Sequence, residues 1–547
     1  MSNMQAVEAR AALIENLSGA VAQVCIHPQL AGGQMIADSG ARLSAIAEAA
    51  GKSPMFDALG EQAPMVATAW ATAINCYFDA YDAMPSKAML ASAAQALANI
   101  TVDMEDARGI KMLDSVRSSL STSEGVEVRA KQAALILPTL LMCATSDAVT
   151  YIPAQANEVE IFDVRRVAGS KFGDYQQGDV LGNSAFGQYS SLNQIYAFAA
   201  DNQPDGTKKA FVYDSATSGF GVVVPFKKSS AKLWLDGAVV ATEVEGQVGK
   251  LYGTTHIDGV EVVINGTVTA ATGKVELTTA VALKTGQLML LEYDVDIEKA
   301  PELIPVIANE MQPFKLRPHE SALAAEHTVQ AYWTMNREFG IDTRSMQMSE
   351  LRNYIAYEKD VRNLRKMILA MSKTYTFNLK VDEGQYFKEH YETLHKLLLL
   401  ISQDMQVRTE VSGLVGMFCG PQACAVIKSL GAPHFQIVDG YRQVPRVHYV
   451  GKLFGQFKIY EVPVEIEVIK GVAATKLGTF DCLCYARGEG HAEAGLVVGD
   501  AVPATIYNHN VNAALKDRNT IWELSYCDIH PKNGSKFFAR LSMIPAA

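Results

Sequence analysis

Along the first hundred residues, apolar positions recur every three or four residues in an Ala-rich background, as in Ala11 to Leu17 and Ala88 to Ile100. That spacing predicts several helices. Breaks are expected at Pro28 to Gly33, Gly51 to Pro54 and Pro85, where turn formers interrupt it. A further helix is predicted from about Asp103 to Leu120, and another leads into Ala133 to Met142.

The period changes near Thr150. From there to about Asp296, short β-branched and aromatic runs are separated by the pairs Asp236-Gly237, Asp258-Gly259, Asn265-Gly266 and Thr272-Gly273. Asp-Gly and Asn-Gly tolerate the positive φ angles of two-residue hairpin turns, so each pair is a hairpin signal. A compact all-β module is therefore predicted between about Lys208 and Asp296, with Leu233, Val262 and Leu290 in its core. Helical spacing returns at Ser321 to Phe339, at a longer segment from about Met346 to Ser372, and at Tyr386 to Ser402. The long segment is charged on one side and apolar on the other, which suits a surface strut. From Gly413 onward short strands alternate with one helix, and Val447 to Pro463 reads as a hairpin. The class is α+β with an all-β insertion.

Length adds that about three or four domains fit into 547 residues at roughly 150 residues each. With 49% hydrophobic and 20% charged residues the chain folds, which excludes a disordered or low-complexity protein. The 48 basic against 59 acidic side chains leave a net charge of −11, the wrong sign for a protein that grips phosphates. Contact with nucleic acid is expected to be non-specific. Eight cysteines, at Cys25, Cys76, Cys143, Cys419, Cys424, Cys482, Cys484 and Cys527, are too sparse for a disulfide scaffold and suit free thiols in a reducing cytoplasm. Met1 to Glu8 has no basic stretch before an apolar core, so no secretory signal is expected. The longest apolar segment, Ala133 to Ala144, is interrupted by Pro138 and falls short of the ~20 residues a membrane span needs. A soluble, unexported protein is the expectation.

Candidate chemistry is sparse. His390 and His395 lie five residues apart, about 140° around a helix, where a shared metal needs the stacking of residues four apart. They are read as surface-helix residues. Cys482 and Cys484 would point to one face of a strand, but no second pair stands at ligand spacing, so they are read as small buried side chains, as are Cys419 and Cys424. Gly246 to Lys250 contains the Gly-Lys of a phosphate loop without its spacing or its Ser/Thr, and it lies between strands. There is no Gly-x-Ser-x-Gly elbow or readable triad. No catalytic, cofactor-binding or metal-binding residue is nominated, and an enzyme is not expected.

The last 140 residues resemble the major capsid proteins of large tailed bacteriophages, whose shared architecture is called the Johnson fold. Val411 to Ile427 looks like the strand and helix that open its axial domain, and Val450 to Pro463 is similar to its glycine-bearing ribbon. Phe480 to Glu489, continuing through Ala494 to Pro503, looks like its buried strand and following loop. Leu515 to Pro531 resembles the return strand into the peripheral domain. The helix at Met346 to Ser372 takes the place of the spine helix, and Asp174 to Asp179 resembles the start of the extended loop.

The apolar spacing gives a helical N-terminal region over 1–110, which the resemblance does not cover; the resemblance implies an N-terminal arm over 111–160 and an extended loop with a β-sandwich-like insertion over 161–310. It implies a peripheral domain with the spine helix over 311–405, an axial domain over 406–515 and a return strand over 516–547. The function implied is a major capsid protein that self-assembles as hexamers and pentamers into an icosahedral head around double-stranded DNA. Made in the host cytoplasm and located in the virion, it would meet portal, scaffold and decoration proteins, touch DNA only non-specifically and contact no membrane. The acidic balance suits such a container, because a basic lumen would hold the polyanion to its walls. Competing readings are an encapsulin-type shell, a tail or baseplate component, and an enzyme with an attached β-domain.

Overall fold

The computed structural model describes residues 3–545 apart from 32–33, 82, 102–122, 155–157, 183–186, 219, 258, 341–342, 382–385, 433, 439, 489–492, 510–514 and 532. The helix expected at Asp103 to Leu120 lies outside the described residues. Two compact units form: residues 1–163 with 313–547, and residues 164–312.

The first unit opens with helices α1 (Asn3–Cys25), α2 (Ser39–Lys52), α3 (Ala63–Tyr81), α4 (Lys87–Thr101) and α5 (Ser123–Leu141). Their breaks fall at the turn formers. Asp38 caps α2 by accepting the Gly40 and Ala41 N–H groups at 3.1 Å. Pro138 sits inside α5, without ending it. Trp70 of α3 is fully buried and donates its indole N–H to the Ala133 carbonyl of α5 at 2.8 Å. These helices have no separate core: Val66, Leu97 and Leu137 belong to one apolar cluster with Leu364, Met417, Ile459 and Leu541.

Four more helices follow: α6 (Val329–Phe339), α7 (Thr343–Ala370), α8 (Phe387–Thr409) and α9 (Pro421–Ser429). The long helix α7 packs across a four-stranded sheet ordered His319–Thr328, Lys516–Ile529, Leu496–His509 and Val149–Tyr151. A seven-stranded sheet is ordered Thr374–Asn378, Phe538–Ile544, Asp481–Ala486, Leu414–Cys419, Phe457–Glu461, His448–Leu453 and Phe435–Ile437. Within it the Val447 to Pro463 hairpin forms as expected. The strand Asp481–Ala486 lies inside the sheet and is buried on both faces, which explains its unbroken run Cys482-Leu483-Cys484-Tyr485-Ala486.

One helix expected from spacing, Ser321 to Phe339, forms only in its second half. Ser321 to Thr328 belongs to a strand that pairs residue for residue with Lys516 to Glu523, and only Val329 to Phe339 is helical. The Ala-rich spacing favoured helix, but ladder pairing with a long neighbouring strand overrides local propensity. Thr328 marks the switch, its hydroxyl accepting the Ala331 N–H at 3.2 Å.

The second unit is an eight-stranded antiparallel sheet. Its order is Asn193–Ala197, Met289–Asp294, Lys232–Leu235, Ala238–Glu243, Lys250–Ile257, Val260–Thr269, Lys274–Thr279 and Ala210–Asp214, so it begins ahead of Lys208. Asp236 and Gly237, at φ 48° and 83°, make the expected hairpin turn, and Gly273 turns at φ 63°. Asp258 lies outside the described residues.

Asn265-Gly266 is no turn: Asn265 sits inside a strand opposite Tyr252 and Thr278. Gly266 is there for close packing, since a Cβ would come within 2.5 Å of Leu277 Cδ2 and 3.0 Å of the Glu276 carbonyl. Leu233 and Val262 are buried as expected, but Leu290 is only half-buried. Met289 and Leu291 fill the core instead, because alternate strand residues face opposite ways. Phe226 and Tyr293 pack at 4.0 Å between ring centroids, and the Tyr213 and Tyr293 hydroxyls meet at 3.2 Å.

Candidate functional site

Ionisable groups converge where α7 crosses the long strands. The Lys359 ammonium lies 3.0 Å from an Asp500 oxygen and 2.9 Å from Glu523 Oε2, with all three side chains under a tenth exposed. Burial alone would lower the lysine pKa, but the two carboxylates raise it above the usual lysine value. The next residue, Asp360, faces the 144–148 turn. Its carboxylate accepts the Thr145 N–H at 3.0 Å, the Thr145 hydroxyl at 2.7 Å and the Ala144 N–H at 3.2 Å. Burial nevertheless pushes the Asp360 pKa up to about 6. One turn on, Asn363 donates to the Thr145 hydroxyl at 2.9 Å and accepts from the Cys527 thiol at 3.2 Å. A single stretch of α7 is thus fastened to two strands and a turn by groups more than 130 residues away in sequence. The arrangement positions a strut; it presents no nucleophile to a cleft.

A second buried carboxylate, Glu461, ends the strand Phe457–Glu461. It pairs with Lys428 of α9, accepts from the Tyr441 hydroxyl at 3.0 Å and Gln443 at 3.2 Å, and lies 3.5 Å from His448 Nε2. Burial raises its pKa, but Lys428 and Tyr441 hold it below the usual value. The effect is to pin the segment 441–448 onto the hairpin.

The residues considered for chemistry are kept apart. His390 donates through Nε2 to the Asn378 carbonyl at 2.7 Å, whereas His395 stacks on Phe454 at 4.3 Å. Cys482 and Cys484 are buried, and Cys482 stands opposite Cys419 in the sheet register. Burial pushes the Cys424 thiol up to about 12 and also raises Cys419 and Cys484, so none is a ready thiolate. Gly246 and Gly249 turn at φ 82° and 85°, and the Gly249 N–H is given to Glu243 at 2.9 Å, so a carboxylate occupies the loop. Among the described residues there is no group of three side chains placed to hold a metal, and no helix is long and apolar enough to cross a membrane.

Two surface features were missed by the sequence reading. Helix α6 has no buried residue, and it exposes Trp333 (61%), Phe339 (65%) and Val329 (41%), with the Arg337 guanidinium 4.8 Å from the Trp333 ring centroid. Helix α8 borders an open groove of about 510 Å³ lined by Glu392, His395, Lys396, Leu399, Leu400 and Phe454. The signal for the groove is the run Leu397 to Leu400: four consecutive leucines on a helix cannot all face one core.

A family model described as "Domain of unknown function (DUF8615)" matches residues 2–143. Among solved structures, the chain is similar to the mature capsid of bacteriophage PhiM1, at 14% identity over 44% of this chain and 74% of that one, with a TM-score of 0.30. It is also similar to the capsid of jumbo bacteriophage PhiKZ (9% identity, 72% of this chain, 91% of that one, TM-score 0.34). The holo-SrpI encapsulin complex of Synechococcus elongatus is a third such structure (10% identity, 43% and 77%, TM-score 0.29). Protein IncB of Escherichia coli is 37% identical over 179 residues, which cover 31% of this chain and 86% of IncB. An identity of that size across most of the relative's length means that the chain belongs to the same family as Protein IncB.

Proposed function

We propose that this chain is the major subunit of a capsid, assembling as hexamers and pentamers into an icosahedral head that encloses double-stranded DNA. The observation that carries the reading is the way the segments that resemble tailed-phage capsid proteins fold. The spine-like segment is the 28-residue helix α7 laid across long antiparallel strands. The strand–helix opening is Leu414–Cys419 followed by Pro421–Ser429, and the ribbon and buried strand lie in the same seven-stranded sheet. In this reading that sheet is the axial part, and the four-stranded sheet with α7 is the peripheral part.

A shell subunit must meet its neighbours through unlike surfaces of one chain, and α6 and the α8 groove are two such surfaces. The subunit acts mechanically, without catalysis. Portal, scaffold and decoration proteins are its further partners, and packaged DNA touches it without specificity. The helices α1 to α5 share the main core, so the N-terminal region stays attached in the mature shell. Electron microscopy of the full chain after expression tests the proposal. Closed icosahedral particles built from a subunit of 59.3 kDa are expected. Open tubes would move the chain to a tail, and a small discrete oligomer would end the capsid reading.

A further inference from the structure

Helix α6 is unusual in presenting large apolar side chains to solvent while burying none. Val329, Trp333 and Arg337 recur every four residues and so lie along one face. An exposed tryptophan beside an arginine is the composition of an interface anchor. The α8 groove has the converse layout. Leu399 and Leu400, 46% and 52% exposed, stand toward its C-terminal half beside Gln403, with Phe454 and His434 on the wall, and Glu392 stands two turns toward the N-terminus. Glu392 and Lys396 make no ion pair among the described residues.

Resting on the shell reading above, we propose that α6 of one subunit docks antiparallel into the α8 groove of a second copy of this chain. Val329 and Trp333 cover Leu399 and Leu400, and Arg337 reaches Glu392. Lys396 lies between them, where its ammonium faces the exposed indole. The order apolar to cationic along α6 matches the order apolar to anionic along α8 only when the helices run in opposite directions, which sets their orientation. Charge complementarity is what selects this occupant, because the same chain carries both halves. Such a contact joins unlike surfaces of two copies, so it can repeat around a ring. Two exposed aromatic residues supply a few hundred Å² at most, against about 800 Å² per partner in a standard interface. The contact is therefore an anchor within a wider interface.

The test is sedimentation velocity of the full-length wild type, Trp333→Ala, Arg337→Glu, Glu392→Arg and the Arg337→Glu/Glu392→Arg double variant over a range of concentrations. Circular dichroism confirms that each is folded, which α6 permits because it buries nothing. Trp333→Ala should weaken association about 30-fold or more, the size of a hot-spot truncation. Each single charge variant should weaken it about tenfold, and the double variant should recover to within a few-fold of wild type. Assembly of the variants indistinguishable from wild type overturns the docking, as would a double variant no better than either single one, and in both cases the shell reading stands. A wild type that stays monomeric at every concentration overturns the shell reading together with the docking.

Discussion

Replacing Lys359 by Met removes the cation from a buried cluster and leaves Asp500 and Glu523 facing each other with side chains 8% and 2% exposed. Breaking a buried ion pair from one side costs about 3–5 kcal/mol, because the remaining charge keeps its desolvation penalty and loses its compensation. The unit that contains the cluster has about 400 residues. At about 2 cal/mol/K of unfolding entropy per residue, that loss lowers its melting temperature by about 4–6 °C. Differential scanning calorimetry of wild type and variant at neutral pH makes the comparison. A shift under about 1 °C would show that the cluster is not what fastens α7 to the strands.

Asp360, raised to about 6 by burial, makes the wild type itself gain about 2 kcal/mol as pH falls from 7 to 4, and Asp360→Asn should flatten that part of a urea-denaturation series. Residues 164–312 expressed alone should give a dispersed amide spectrum, whereas 208–296 should not, because it lacks the strand Asn193–Ala197 that pairs with Met289–Asp294. Gly253→Val should destabilise that fragment by more than about 2 kcal/mol in urea melts, since even a Cβ there would come within 2.0 Å of the Val240 carbonyl and 2.5 Å of Ala241 Cα. Of the eight thiols, Cys76 alone is exposed, so Ellman's reagent should titrate one per unassembled native chain and eight in denaturant.

Much of the fold is written in short-range pattern, because helix spacing, caps and two-residue turns need only their immediate neighbours. The breaks between α1 and α4, the long helix α7, the hairpin at His448 to Glu461 and the turn at Asp236-Gly237 are all of that kind. What needed the tertiary structure depends on partners distant in the chain. Ser321 to Thr328 is a strand because Lys516 to Glu523 lies beside it, although the spacing of its alanines favours helix. Asn265-Gly266 continues a strand because neighbours on both sides hold it, and Leu290 turns from the core because a one-residue change of register reverses every side chain. The cluster of Lys359, Asp500 and Glu523 joins residues more than 130 positions apart. Local spacing carries no trace of such a meeting. The exposed Trp333 likewise became visible only once its helix was seen to have no fully buried side chain.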